Sequence, residues 1–306
     1  MRTYRTQGQD LAVGFRTVIV KSRVKLELRL NMLVIRGEQE KSVFINEIET
    51  LIIQSTAVSL TAALLSELAK KNIKVIFCDA KCNPAAELVP YYGSYNTSKR
   101  YKKQIAWRQE TKDSVWQYVV MRKIVGQAEV LRWLGKNKEA EMLTKYAEDV
   151  ELRDTTNREG HAAKVYFNAL FGKDGSRTDD SFLNGCLNYG YAVLLSTFNR
   201  EIVASGYLTQ LGIWHDNEFN QFNLSCDLME PFRPYVDRTA LSLKENDEDF
   251  KVKMADVINR KIRIQDKTTT MDLAIRQYVR SALCALDSDD LDEIAFPQSV
   301  EWEDEL

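Results

Sequence analysis

The hydrophobic pattern changes character about a third of the way along the chain. Before that point it is β-like. Phe15-Arg-Thr-Val-Ile-Val is rich in β-branched residues, and Val24, Leu26, Leu28 and Leu30 alternate onto one face. Asn31 suits a tight turn into a second strand, Met32 to Ile35, which Gly37 ends. Val43-Phe-Ile, Thr50-Leu-Ile-Ile and Ile73-Lys-Val-Ile-Phe-Cys supply further strands. Ser59 to Lys70 instead places Leu60, Leu64, Leu65 and Leu68 on one side of a helix. Around Pro90-Tyr-Tyr-Gly-Ser-Tyr-Asn-Thr-Ser the turn-forming residues cluster. Beyond them the spacing predicts helices over 99–134, 138–150, 158–171, 187–205, 231–243, 250–259 and 269–286, with polar loops at 172–180 and 245–248.

The predicted fold class is therefore α+β, a small β-rich N-terminal domain followed by a larger all-α domain. Its parts are an N-terminal extension (1–14), the β-rich domain with one main helix (15–92), a linker (93–98), the α-helical domain (99–286) and an acidic tail (287–306). The tail is expected to be poorly ordered. There is no internal repeat.

Composition narrows the class. The chain has 306 residues, 44% hydrophobic and 28% charged, enough to bury a core and too apolar for a disordered chain. Nothing at the N-terminus resembles a secretion signal, and the most apolar stretch, Tyr191 to Phe198, falls well short of the ~20 residues of a membrane helix. Five scattered cysteines point to free thiols in a reducing cytoplasm. Cys78 and Cys82 have a metal-like spacing with no second Cys/His pair, so they read as buried or half-buried thiols, not a zinc knuckle.

The net charge of −2 hides a segregation. From Lys99 to Lys123 eight basic residues face two acidic ones, while Asp287 to Leu306 holds nine acidic residues and no basic one. The basic strip is interleaved with aromatics: Arg100, Lys102, Lys103, Arg108 and Lys112 alternate with Tyr91, Tyr92, Tyr95, Trp107 and Trp116. Such groups neutralise phosphates without reading bases. The pattern equally describes an amphipathic helix with a solvated charged face.

Candidate chemistry begins with the two histidines, His161 and His215. His161 lies two residues after Glu159, on the opposite face of the same predicted helix. Thr156-Asn-Arg-Glu159 fits a capping box, which would use up the glutamate. Against that, Ala163, Tyr166, Phe167 and Leu170 share its face, so the carboxylate points inward and needs a cation or a strong donor. Asp227-Leu-Met-Glu230-Pro231 is the second acidic element; Glu230 sits at a helix entrance, where either acid could serve as a cap or pair with Arg233. An imidazole with two or three carboxylates is a donor set for Mg²⁺ or Mn²⁺, with open positions for polarising a phosphoryl oxygen. Spacing alone does not bring them together.

Two long segments resemble a known family. Asn157-Arg-Glu-Gly-His-Ala-Ala-Lys-Val-Tyr-Phe-Asn and Phe219-Asn-Gln-Phe-Asn-Leu-Ser-Cys-Asp-Leu-Met-Glu-Pro-Phe-Arg-Pro look like signature segments of the CRISPR-associated integrases, closest to the type II form. The likeness runs from about Phe15 to beyond Asp237, includes Val75-Ile-Phe-Cys-Asp and Pro90-Tyr-Tyr-Gly, and fades after Leu243. It implies a β-rich domain that dimerises and a helical catalytic domain. It also implies that Glu159, His215 and Glu230 are catalytic metal ligands. Where many relatives have an aspartate pair, this chain has Asp227 and Glu230, so Asp227 supports or joins the set. The implied reaction is transesterification: a 3′-hydroxyl of captured foreign DNA attacks a backbone phosphate at the edge of a CRISPR repeat. The implied partners are a second copy of the chain, a smaller CRISPR adaptation subunit, the effector nuclease and a ring-shaped DNA-end-binding protein.

Two other readings use the same residues. A metal-dependent nuclease on branched DNA would put water in place of the sugar hydroxyl. A non-catalytic DNA scaffold would leave Glu159, Asp227 and Glu230 as helix caps.

Overall fold

The computed structural model describes residues 16–91, 96–172, 177, 179–245 and 247–302. The extension 1–14, Phe15, Tyr92, Tyr95, half of the predicted linker, part of the 172–180 loop, position 246 and the last four residues lie outside the described residues. The chain divides into two compact units, Met1–Tyr91 and Tyr92–Leu306.

Among the described residues, the first unit holds two four-stranded sheets and one α-helix. In chain order its elements are β1 (Arg16–Val20), β2 (Lys25–Arg29), β3 (Met32–Arg36), β4 (Glu40–Phe44), β5 (Ile48–Ile53), β6 (Ser59–Leu60), α1 (Ala62–Lys70), β7 (Lys74–Cys78) and β8 (Pro84–Glu87). One sheet runs β1-β5-β7-β8 and the other β4-β3-β2-β6. β5 is parallel to both β1 and β7 and buried at every position, which is why Thr50-Leu-Ile-Ile reads as a continuous apolar run. The β2–β3 turn takes both central residues, Leu30 and Asn31, to positive φ (49° and 61°), the geometry that matches strand twist in a two-residue hairpin. Val20, Leu51, Ile53 and Val75 of one sheet share a core with Leu26, Leu33 and Ile35 of the other and with Leu64 and Leu68 of α1. Cys78 is buried and Cys82 half-buried, and neither is in a disulfide.

The second unit is mostly helical. Its helices are α2 (Thr97–Ile105), α3 (Gln109–Trp133), α4 (Asn137–Glu148), α5 (Arg158–Phe171), α6 (Phe182–Ala204), α7 (Asn223–Met229), α8 (Arg233–Ser242), α9 (Phe250–Ala255) and α10 (Met271–Ser288). The longest are α3, of 25 residues, and α6, of 23. α3 packs on α4, α5 and α8, and α6 packs on α7 to α10. At Gly190 of α6 an added Cβ would lie 2.5 Å from Val236 of α8 and from Met254 of α9, so this crossing depends on a missing side chain. Among the described residues no helix is long and apolar enough to cross a membrane.

Four features depart from the hydrophobic pattern. The helix predicted over 99–134 breaks at Ala106–Arg108, where Gln104 is held by Leu208 and Leu211 and the Trp107 indole donates to Asp287. Glu230 does not stand at a helix entrance: α7, a tight turn at Glu230–Phe232 and α8 follow one another directly. A hairpin of β9 (Lys261–Ile264) and β10 (Lys267–Thr270) adds strand to the helical unit. The acidic tail is packed, not loose, as far as Trp302. Val300 N–H donates to Glu129 at 2.5 Å, and Trp302 is buried between the Arg260 guanidinium (4.1 Å) and the Tyr235 ring (5.3 Å). Apolar Ala295, Val300 and Trp302 hidden among the charges drive this docking.

A candidate metal centre in the helical unit

The first turn of α5 brings in Glu159. Its helix is capped, but not by the predicted box. Asn157, held left-handed at φ 53°, accepts from Gly160 N–H, and Asp154 accepts from Arg158 N–H (2.7 Å) and Glu159 N–H (3.0 Å). Thr156 Oγ1 is buried without a hydrogen bond. With the orphan amides satisfied by Asp154 and Asn157, the Glu159 side chain turns inward, where its Oε1 accepts from Lys123 Nζ at 2.6 Å.

The same lysine meets the second acid. Glu230 Oε2 lies 2.6 Å from Lys123 Nζ, and Glu230 Oε1 lies 2.8 Å from Arg233 Nε. Two contacts of 2.6 Å to one nitrogen hold the glutamate oxygens within about 5 Å of each other. The Glu230 contact is one of charge: Oε2 is buried and accepts no well-aligned hydrogen bond. Arg233 is itself stacked over the Tyr191 ring at 4.6 Å. Burial alone would raise the Glu230 carboxyl and lower the Lys123 ammonium. Instead Arg233 and Lys123 hold Glu230 below the ordinary carboxylate range, while Glu230 and Glu159 hold Lys123 above the ordinary amine range. Glu230, Lys123 and Arg233 are therefore held in their charged forms.

His215 arrives on the loop between α6 and α7. Asp227, fully buried in α7, shapes that loop by accepting from the backbone of Ile213 (2.7 Å), Trp214 (3.1 Å) and His215 (3.1 Å), and its Oδ1 is 2.5 Å from His215 Nδ1. Asp227 is thus no helix cap but the anchor of the preceding loop. Gly212 permits the turn: a Cβ there would sit 2.3 Å from His215 O and 2.7 Å from Asp227 Oδ2. Trp214 stacks on Trp116 (5.4 Å), which meets the imidazole edge-on at 5.8 Å. A carboxylate at Nδ1 keeps the proton on that nitrogen and leaves Nε2 with its lone pair. The Asp227 hydrogen bond raises the imidazole pKa above its usual value; burial opposes this, and the charges of Asp227, Glu230 and Glu159 add to it.

The donor types fit a hard divalent ion. Two carboxylates converge on one cation position, and an oriented imidazole lies within the field of both. Lys123 now occupies that position, and among the described residues no three His, Cys, Asp or Glu side chains are already drawn together as ligands. His161 stands apart on the exposed side of α5, 6.2 Å from the Tyr146 ring. Sequence reasoning missed Lys123, although its spacing from Trp116, Val119 and Val120 puts it on the buried stripe of α3.

The basic strip is partly neutralised within the chain. Asp287 meets Arg100 (2.9 Å), Lys103 (3.3 Å), the Trp107 indole (3.0 Å) and the Tyr207 hydroxyl (2.7 Å). Arg108 lies 3.6 Å from both Glu110 and Asp289. Of the five predicted phosphate contacts, only Lys102 and Lys112 have no carboxylate partner among the described residues.

A β-rich unit followed by a mostly helical unit agrees with the family comparison. The family model for CRISPR associated protein Cas1 matches residues 17–271, and the chain belongs to that family. It is 34% identical over 274 residues to the CRISPR-associated endonuclease Cas1 of Neisseria meningitidis serogroup C, with 89% of each protein covered. Among solved structures, it superposes on a casposase bound to integration product with a TM-score of 0.74 at 21% identity, covering 90% of this chain and 91% of that one. A chain of the Cas6-RT-Cas1–Cas2 complex gives a TM-score of 0.74 at 16% identity, over 98% of this chain and 37% of that one.

Proposed function

We propose that the chain is a divalent-metal-dependent DNA integrase of CRISPR adaptation, joining 3′-hydroxyl ends of captured foreign DNA into the CRISPR repeat. The observation that carries this reading is the meeting of Glu159 and Glu230 on one cation position, beside an imidazole fixed by Asp227. Glu159, Glu230 and His215 Nε2 are the groups that would hold Mg²⁺ or Mn²⁺. When bound, the ion supplies polarisation of a phosphoryl oxygen and stabilisation of the charge that builds up in in-line displacement.

The chain's own residues do the rest. Asp227 holds the imidazole in the ligating tautomer and sets the loop that presents it. Arg233 keeps Glu230 ionised and aimed. The nucleophile belongs to the substrate: a new P–O bond to the incoming 3′-oxygen forms as the repeat's own P–O3′ bond breaks. The number of phosphodiesters is conserved, and neither a serine or cysteine nucleophile nor an external energy source is needed. Protonated Nε2 cannot ligate, so activity falls on acidification.

The family resemblance supports a cytoplasmic homodimer paired through the β-rich unit and working with a smaller adaptation subunit. It extends to the effector nuclease and the ring-shaped DNA-end-binding protein. The name of the Neisseria relative supports a second reading of the same site, endonuclease action with water as nucleophile. One assay separates them. The protein, with and without the smaller partner and with and without chelator, is incubated with a 3′-hydroxyl fragment and supercoiled repeat DNA. Covalently joined products that vanish with chelator and in Glu159→Ala, His215→Ala and Glu230→Ala are the expected result. Nicking without joining selects the nuclease, and joining that survives all three substitutions overturns the site.

A further inference from the structure

We propose that Lys123 is a displaceable internal counter-ion: its ammonium holds the cation position between Glu159 and Glu230 until a divalent ion takes it, so the residue tunes metal affinity downward. The proposal rests on the metal-centre reading and adds to it a competitor within the chain.

The geometry is specific. Lys123 Nζ stands 2.6 Å from Glu159 Oε1 and 2.6 Å from Glu230 Oε2, on side chains brought in by different elements. The lysine side chain is only 12% exposed and Glu230 only 5%. Two ionised carboxylates this close, largely out of water, repel one another and need a cation. Lys123 supplies it within the fold. A metal ion drawing on the same two oxygens cannot coexist with an ammonium 2.6 Å from both, because the positive charges would meet at van der Waals range. Metal entry therefore costs the Lys123 contacts.

The exchange also changes the local field. With Lys123 and Arg233 set against Glu159 and Glu230, the pocket is close to neutral. Replacing the ammonium's hold on the carboxylates by a divalent ion, with the lysine still on α3 beside it, turns the pocket positive. A phosphodiester is then attracted only to the metal-loaded site.

The test measures Mn²⁺ affinity by calorimetry on the full chain without DNA, alongside thermal unfolding in chelator and in saturating Mn²⁺. Lys123→Met, which keeps the length and removes the charge, is expected to bind Mn²⁺ about tenfold tighter or more. It should unfold earlier than wild type in chelator and regain most of that loss in Mn²⁺. Lys123→Arg, which keeps a cation and its fork of donors, is expected to show no gain in affinity, and it remains measurable if the Met variant does not fold without metal. Unchanged or weaker Mn²⁺ binding in Lys123→Met overturns the proposal; if that variant cannot be obtained, tighter binding in Lys123→Arg does so. The underlying site is checked separately with Glu159→Ala. Wild-type Mn²⁺ binding that survives this change sinks the metal centre itself, whereas binding that needs Glu159 but ignores Lys123 sinks only the counter-ion.

Discussion

Replacing Asp227 by asparagine removes one charge and changes almost no volume, so its consequences isolate what the carboxylate does. Oδ2 accepts from Ile213 and Trp214, and Oδ1 accepts from His215 N–H and meets His215 Nδ1. An asparagine has one acceptor oxygen: with its NH₂ toward Ile213 and Trp214 two contacts place donor against donor, and with its NH₂ toward His215 one does while the imidazole changes tautomer to accept the other. Hydrogen bonds to a charged group contribute about 1.5–3 kcal/mol each. Discounted for the half-exposed histidine side, the loss comes to about 2–5 kcal/mol. The effect on the metal is separate. An amide NH₂ facing Nδ1 forces the imidazole proton onto Nε2 and removes the ligating lone pair, and loss of such an outer partner lowers metal affinity about 10–100-fold. Urea unfolding in chelator reads the first quantity and Mn²⁺ calorimetry the second. An Asp227→Asn protein with wild-type Mn²⁺ affinity would refute the reasoning, whatever its stability.

Gly212→Ala is expected to weaken Mn²⁺ binding and lower the urea midpoint together, because its Cβ would press on His215 O and Asp227 Oδ2 at 2.3 and 2.7 Å. Asp237 is buried, and burial, only partly offset by hydrogen bonds from Tyr191 and Tyr166, pushes its carboxyl up to about 6 from 3.8. The folded chain therefore binds this proton more tightly than the unfolded one. The stability it contributes is full below pH 3.8 and is lost as pH rises through about 6, a swing of ~3 kcal/mol by that shift. Asp237→Asn should flatten this part of the stability–pH curve; an unchanged slope contradicts it. For DNA, neutralising Lys102 and Lys112 together should make the log affinity–log salt slope shallower by roughly 2 if both meet phosphates. Neutralising Arg100 and Lys103, already paired with Asp287, should change the slope less.

Much of this architecture was legible in the sequence. The alternation of Val24 to Leu30 and the apolar run at Thr50 marked real strands, and the 158–171 periodicity coincides with α5. What failed did so for local reasons. Thr156 and Glu159 have the spacing of a capping box, but Asp154, from the preceding turn, took the amides first, and only tertiary structure reveals that competition. Ile262 and Ile264 alternate and flank a Gln265-Asp266 turn with φ of 47° and 58°, a hairpin signal masked by helices on both sides. Asp227 reads from the sequence as supporting or joining the ligands, and sequence alone cannot show that its two oxygens meet three amides and an imidazole. Lys123 was hidden by its neighbours: counted with the basic strip, it belongs by helical phase to the buried face of α3.

A Mn²⁺ anomalous-scattering map from crystals of the metal-loaded protein gives the most direct test. The account predicts one strong peak roughly 2.0–2.6 Å from Glu159, Glu230 and His215 Nε2, with Lys123 Nζ withdrawn from both glutamates. A peak that leaves out any two of these side chains, or a fully loaded protein whose Lys123 still bridges the glutamates, would contradict it.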